Sequence, residues 1–154
     1  ATLTGRRNVY GAVPATLAQH PLAMLKGFDE LEMMPAVNRN VEMQYNHMHN
    51  SFLQTLMLTG IPGFLAAVWL AWRVISSGIR VLFAKGSIIR PAQRLLVLLP
   101  AALLVQGMLE HYLFVDSYSI LNFLFFLFAG YVVQLGRQVS WKQAFPGLAR
   151  RGKA

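Results

Sequence analysis

The sequence predicts an all-α integral membrane protein with about three transmembrane helices, on three observations. Of 154 residues, 55% are hydrophobic and only 13% are charged, where a soluble domain carries about a quarter charged residues. The mean hydropathy is +0.44. Three stretches, Phe52–Trp72, Leu95–Phe114 and Tyr118–Gly136, approach the roughly 20 apolar residues that a helix needs to span a bilayer. Periodicity alone does not separate such runs from buried soluble helices. Three of them in one short chain, with so little polar sequence to cover them, favour lipid.

Three regions follow: an extracytoplasmic segment over 1–50 that contains a short helix, three transmembrane helices over 51–137, and a basic cytoplasmic tail over 138–154. In the first segment, Arg6–Gln19 reads as a helix interrupted by Gly11 and Pro14 and ended by His20-Pro21. Residues 27–46 mix Gly, Pro, Asn and acids and read as loop. The first span is uncharged, and Gly60-Ile61-Pro62-Gly63 interrupts it, since Pro62 removes a backbone hydrogen bond and invites a kink. "IIRPAQR", 88–94, is a turn into the second helix, with Pro91 in its first turn. The second span is broken only by Gln106, Glu110 and His111. The third is Phe-rich packing and lipid surface. Trp69, Trp72 and Trp141 fit interfacial anchors.

Charge sets the orientation. Ten of the 14 basic residues lie between the first two spans (Arg73, Arg80, Lys85, Arg90, Arg94) or after the third (Arg137, Lys142, Arg150, Arg151, Lys153). Basic loops stay in the cytoplasm, so residues 1–50 and the turn Val115–Ser117 are predicted outside and the C-terminus inside. This accounts for the formal charge of +8 without nucleic acid, and the basic segments lack the interleaved aromatic platform of single-strand binders. Cysteine is absent, which excludes disulfides and thiolate chemistry. No basic stretch followed by a short apolar core opens the chain, so no signal peptide is legible. The chain reads as a piece of a longer protein.

The chemistry concentrates in "NHMHNSFLQTLMLTGIPGFL", 46–65. Asn50 and Gln54 are four apart, as are Ser51, Thr55 and Thr59, so one end of the first helix carries a polar stripe. Such groups face protein or a watery cavity, because unpaired polar groups are costly in lipid. His47 and His49 stand just before the stripe, and a histidine takes a proton near neutral pH. Glu110 lies about a turn from the end of the second span, where an acid is a functional hypothesis by default. With His111 it would steady the histidine loop or an arginine.

"HMHNSFLQTLMLTGIPGFL" resembles the signature of the O-antigen ligase and polymerase superfamily of bacterial membrane glycan transferases, through His49-Asn50, Leu53-Gln54 and Thr59-Gly60-Ile61-Pro62-Gly63. "LTGRRNVYGAVPATLAQHPL" is similar to the Gly-Arg helix that opens the family's large external loop, and "GMLEHYLFVDSYSILNFLFFLFAGYV" to its final helical hairpin. These matches run in family order over most of residues 3–133. Two features depart from the pattern. "MLKGF" keeps only Gly27 where the family often has Gly-x-Gly. The family usually has about a dozen transmembrane helices, so the chain resembles a C-terminal part.

The resemblance implies a bacterial inner (plasma) membrane, with residues 1–50 periplasmic, and transfer of a glycan from a polyprenyl-pyrophosphate carrier to an acceptor hydroxyl, on a lipid A-core sugar, another glycan or a protein. A base near the acceptor hydroxyl accelerates such a step by about 10²–10⁴-fold, and a cation must stabilise the departing pyrophosphate. No Asp-x-Asp is present, and arginine supplies the charge with a fork that matches phosphate. The resemblance thus casts His49 as the base with His47 beside it, and Arg6, at the Gly-Arg position, with Arg7 as the pyrophosphate clamp. Asn50 and Gln54 would position the histidine loop or the sugar. The expected mechanism is a single displacement without metal or cofactor, and the piece alone is expected to be inactive.

The plainer readings are a loop histidine that caps a helix, arginines on lipid headgroups, and a solvated acidic run in "DELE", 29–32. Arg39 is a poorer phosphate ligand. A zinc site from His47 and His49 needs two more ligands, with His20 or Glu42 as candidates. Rival functions are a polysaccharide polymerase of the same superfamily, a protein O-oligosaccharyltransferase, and a transporter-like subunit, which would place its polar groups near the midplane.

Overall fold

The computed structural model describes residues 3–42, 44–84, 89–110, 113–114 and 120–145. The protein is an all-α integral membrane protein, with no strand among the described residues. Three helical stretches are long and apolar enough to cross a membrane: Ser51–Phe83, Pro91–Leu109 and Ile120–Arg137. The chain forms two compact units, Ala1–Val68 with Gln106–Ser119, and Trp69–Val105 with Ile120–Ala154.

The first unit begins with α1 (Leu3–Gln19), α2 (Ala23–Lys26) and α3 (Glu30–Asn38) and includes the start of α4 (Ser51–Phe83). α1 runs unbroken through Gly11 and Pro14, where the sequence predicts an interruption. Tertiary packing outweighs the local break: Val9, Ala12 and Val13 are buried with Met33, Met34 and Val37 of α3, and with Met48 and Met57. α3 itself corrects the predicted loop over 27–46. Asp29 caps it by accepting a hydrogen bond from the Leu31 N–H at 2.9 Å. Asn40 ties the two helices together by donating to the Thr16 hydroxyl at 3.0 Å.

α4 continues eleven residues past the predicted end at Trp72, so Arg73 and Arg80 stand on a helix and not in a loop. Its break lies at Gly60, with φ 69° and ψ −170°, ahead of Pro62. That conformation is open essentially only to glycine. Gly27 adopts almost the same one, with φ 79° and ψ 179°. The two glycines lie where the chains cross. A Cβ on Gly60 would sit 2.6 Å from the Leu25 carbonyl oxygen, and one on Gly27 would fall on the Leu58 carbonyl. The break frees helix carbonyls, and the Phe28 N–H donates to that of Met57 at 2.7 Å.

The second unit holds the rest of α4, α5 (Pro91–Leu95), most of α6 (Leu98–Leu109), α7 (Ile120–Arg137) and α8 (Trp141–Ala144). α5 starts at Pro91, inside the stretch 88–94 that the sequence reads as a turn, and the Arg90 N–H donates to the Gln93 side chain at 2.9 Å. The second span ends at Leu109 rather than Phe114. Val81, Ala84, Val97, Val132, Leu135 and Val139 form the buried core. Arg80 is held internally, donating to the Ser77 hydroxyl at 3.2 Å and lying over the Trp141 ring. The predicted turn Val115–Ser117, Tyr118, His111, Lys85, and Arg150, Arg151 and Lys153 of the tail lie outside the described residues.

Candidate active site

The site belongs to the first unit and is assembled from three separate segments: α1, the loop before α4, and the end of α6. Asn50 begins it. Its side-chain oxygen accepts from the Phe52 and Leu53 N–H groups, each at 3.0 Å, and so caps α4. Its amide donates to the Met108 carbonyl at 3.1 Å. The cap is thus Asn50 and not the histidine before it.

Ser51 repeats the linkage one residue on. It is fully buried, donates to the Glu110 carbonyl at 2.7 Å and accepts from the Leu113 N–H at 3.0 Å. These bonds end α6 at Leu109 and set Glu110 just beyond it, not a turn inside the span. The rest of the polar stripe finds hydrogen-bond partners within the protein, with Thr59 exposed at its end. Thr55 and Thr59 each donate to the carbonyl four residues back at 2.7 Å, and Gln54 accepts from the Met48 N–H at 3.4 Å.

His49 is held in the left-handed region, with φ 51°, which histidine enters more readily than most residues. Three anchors keep it there: the fully buried Met48 before it, the Asn50 cap after it, and the Tyr10 hydroxyl, which donates to its carbonyl at 2.9 Å. Its Nδ1 lies 3.6 Å from Glu110 Oε2, while Arg6 Nη2 lies 3.6 Å from Glu110 Oε1. Glu110 therefore stands between the two, one carboxylate oxygen toward each. These are ion-pair distances, longer than hydrogen bonds. The Arg6 Nε and His49 Nδ1 atoms are buried without a hydrogen-bond partner among the described residues. The His47 ring meets that of His49 edge-on, with centroids 4.0 Å apart.

Of the residues singled out in the sequence, the fold thus gathers His49, His47, Arg6 and Glu110 at one corner, with Asn50 and Gln54 as its struts. Arg7 is not brought in. It is exposed and lines a groove with Asn8, Gly11, Asn40 and Glu42. Arg39 lies on another surface, near His20 and Pro35. Neither His20 nor Glu42 joins the histidines. The ligand-bearing atoms of His47, His49 and Glu110 do lie within 4.8 Å of one another, a cluster the sequence reading does not foresee. Sequence reasoning also missed Tyr10 as an anchor and Ser51 as a strut. Tyr10 was within reach of it, since it lies four residues from Arg6 and so on the same helix face.

No family model, curated protein or solved structure matches the chain.

Proposed function

We propose that the chain carries the catalytic corner of a membrane glycan transferase of the O-antigen ligase kind. Glycan moves from a polyprenyl-pyrophosphate carrier to an acceptor hydroxyl, on the periplasmic side of a bacterial inner membrane, with the C-terminus in the cytoplasm. The resemblance at residues 46–65 supports this reading, and one observation carries it: Glu110 stands between Arg6 and His49, joining a candidate base to a candidate phosphate ligand from distant parts of the chain.

The chemistry follows from that geometry. His49 turns Nδ1 toward the carboxylate, which leaves Nε2 to serve the acceptor hydroxyl. As the hydroxyl oxygen attacks the sugar carbon, its proton passes to Nε2, and the bond to the pyrophosphate oxygen breaks with inversion. Glu110 stabilises the imidazolium that forms, and Arg6 bears the charge that develops on the pyrophosphate. Asn50, Gln54 and Tyr10 fix the loop so that the base is preorganised. The ligase reading stands ahead of the polymerase reading, and the glycan profile below separates them.

A second reading, metal-assisted transfer, is favoured by the His47–His49–Glu110 cluster, since two imidazoles and a carboxylate make a known ligand set for catalytic zinc. The Arg6 guanidinium at the same carboxylate counts against it, because a fixed cation competes with a metal for Glu110.

The test is His49→Ala in the whole gene, with expression checked, followed by a size profile of surface and carrier-linked glycan. Long glycan accumulating on the carrier supports a ligase. Single repeat units on the carrier indicate a polymerase. An unchanged profile sinks the catalytic role of His49.

A further inference from the structure

The sequence puts the membrane boundary of α4 at Phe52. The exposed surface does not begin there. Among the described residues of α4, no large hydrophobic side chain between Ser51 and Gly60 is exposed: Met57 is fully buried, and Leu53, Leu56 and Leu58 pack against the core of the first unit. Exposed apolar surface starts at Ile61 and continues through Leu65 and Val68. The large apolar side chains of this part of α4 are buried or half-buried up to the break, where Thr59 is exposed, and those of Ile61, Leu65 and Val68 beyond it are exposed.

The segment before α4 shows a matching pattern. Among its described residues, the exposed large hydrophobics are Leu22, Met24, Leu25 and Leu31, all within ten residues of one another. Leu22 and Leu25 are 70% and 67% exposed. Lys26, Asp29, Glu30 and Glu32 are interleaved with them or follow them, as a charged rim. The backbone N–H groups from Ala23 to Phe28 are satisfied within the protein. The N–H groups of Ala23, Met24, Leu25, Lys26 and Gly27 donate to carbonyls of His20, Pro21, Leu22 and Ala23, and that of Phe28 donates to Met57. Such internal satisfaction is what hydrocarbon demands.

The two apolar surfaces meet at one level. Gly60 packs against the Leu25 and Met24 carbonyls, so α2 crosses α4 just before its exposed apolar surface begins. We propose that α2 lies in the bilayer surface with Leu22 and Leu25 among lipid acyl chains, and that lipid contact on α4 starts at Ile61, just past Gly60, rather than at Phe52. The occupant of this patch is bulk lipid, because the patch is continuous with the lipid-facing side of α4. Lys26 and the acids return to the headgroups, the long lysine stem reaching upward. The segment is a surface anchor that lies on the membrane and does not cross it.

The chain has no cysteine, so single substitutions can be labelled selectively. Leu22→Cys, Leu25→Cys, Leu65→Cys and Ala18→Cys are each spin-labelled in the protein, reconstituted in phosphatidylethanolamine–phosphatidylglycerol vesicles. Collision with oxygen reports lipid, and collision with a water-soluble nickel chelate reports water. The expected result is oxygen-dominated relaxation at 22 and 25, as at 65, and nickel-dominated relaxation at 18, with the ratio differing several-fold. Labels at 22 and 25 that behave like that at 18 would place α2 in water and overturn the proposal. Labels at 22 and 25 shielded from both reagents would mean a protein partner covers the patch, and would overturn it equally. The two leucines are exposed, so either variant alone decides the matter if the other folds poorly.

Discussion

Two glycines carry the crossing of α2 and α4, and replacing them should separate sharply from replacing a third. Gly60→Ala forces a β-carbon into a backbone region with φ 69° and ψ −170°, at a cost of about 1–3 kcal/mol. The same β-carbon meets the Leu25 carbonyl at 2.6 Å and the Met24 oxygen at 2.9 Å. Both are backbone atoms that cannot rotate away, and overpacking of this kind costs a further 1–3 kcal/mol or about that. The sum, about 2–6 kcal/mol, is a large part of the roughly 5–15 kcal/mol that holds a domain together. Gly27→Ala faces the same two terms against Leu58 and Thr59. Gly11 is the control. It lies inside α1 on an exposed face with no atom within 4 Å of an added Cβ, so Gly11→Ala should stabilise by about 0.5–1 kcal/mol. The assay is the midpoint of heat-induced loss of the monodisperse peak in mild detergent. Gly60→Ala and Gly27→Ala should fall well below the parent, and Gly11→Ala should match or exceed it. Equal midpoints for all four proteins would refute the close crossing on which the argument rests.

Three further outcomes are expected. Ser51→Ala leaves the Glu110 carbonyl and the Leu113 N–H without their shared partner, at about 1–3 kcal/mol for each buried group, and amide exchange over 106–110 should quicken while that over α1 does not. Glu110→Gln keeps the shape but removes the charge beside His49. Transfer should fall about tenfold, which corresponds to roughly 1.4 kcal/mol, and an undiminished rate would strip Glu110 of its role. Chelation by EDTA should leave turnover in membranes unchanged; loss of turnover restored by zinc would instead establish the metal reading of His47, His49 and Glu110.

The sequence foretold much of this fold because hydrophobic runs announce themselves. The three spans, the polar stripe of α4 and the histidine loop were all legible, since each depends on residues near one another in the chain. α3 was not, although Asp29 was a ready cap, because Pro35 and the neighbouring Gly27 and Asn residues read locally as loop. The unbroken α1 was missed for the opposite reason: burial of Val9, Ala12 and Val13 against α3 overrides the signals of Gly11 and Pro14. At the site, Arg6, His49 and Glu110 could each be named, but their meeting could not, since it depends on contacts spanning 104 (110 − 6) and 61 (110 − 49) residues of chain. The break at Gly60 was placed near Pro62 from proline's missing donor, whereas the conformation itself belongs to the glycine.

A single carboxylate that faces both a guanidinium and an imidazole makes them rivals. In the resting corner Glu110 divides its oxygens between Arg6 and His49. On the proposed chemistry, a pyrophosphate arriving at Arg6 takes over that guanidinium and leaves the carboxylate to the imidazole alone. Loading of the donor would then arm the base, and an acceptor that arrives first would meet a weaker one. The two halves of the corner are then coupled: donor alone, with no acceptor present, should change the rate at which diethyl pyrocarbonate modifies His49. An unchanged rate would show that the two halves of the corner act independently.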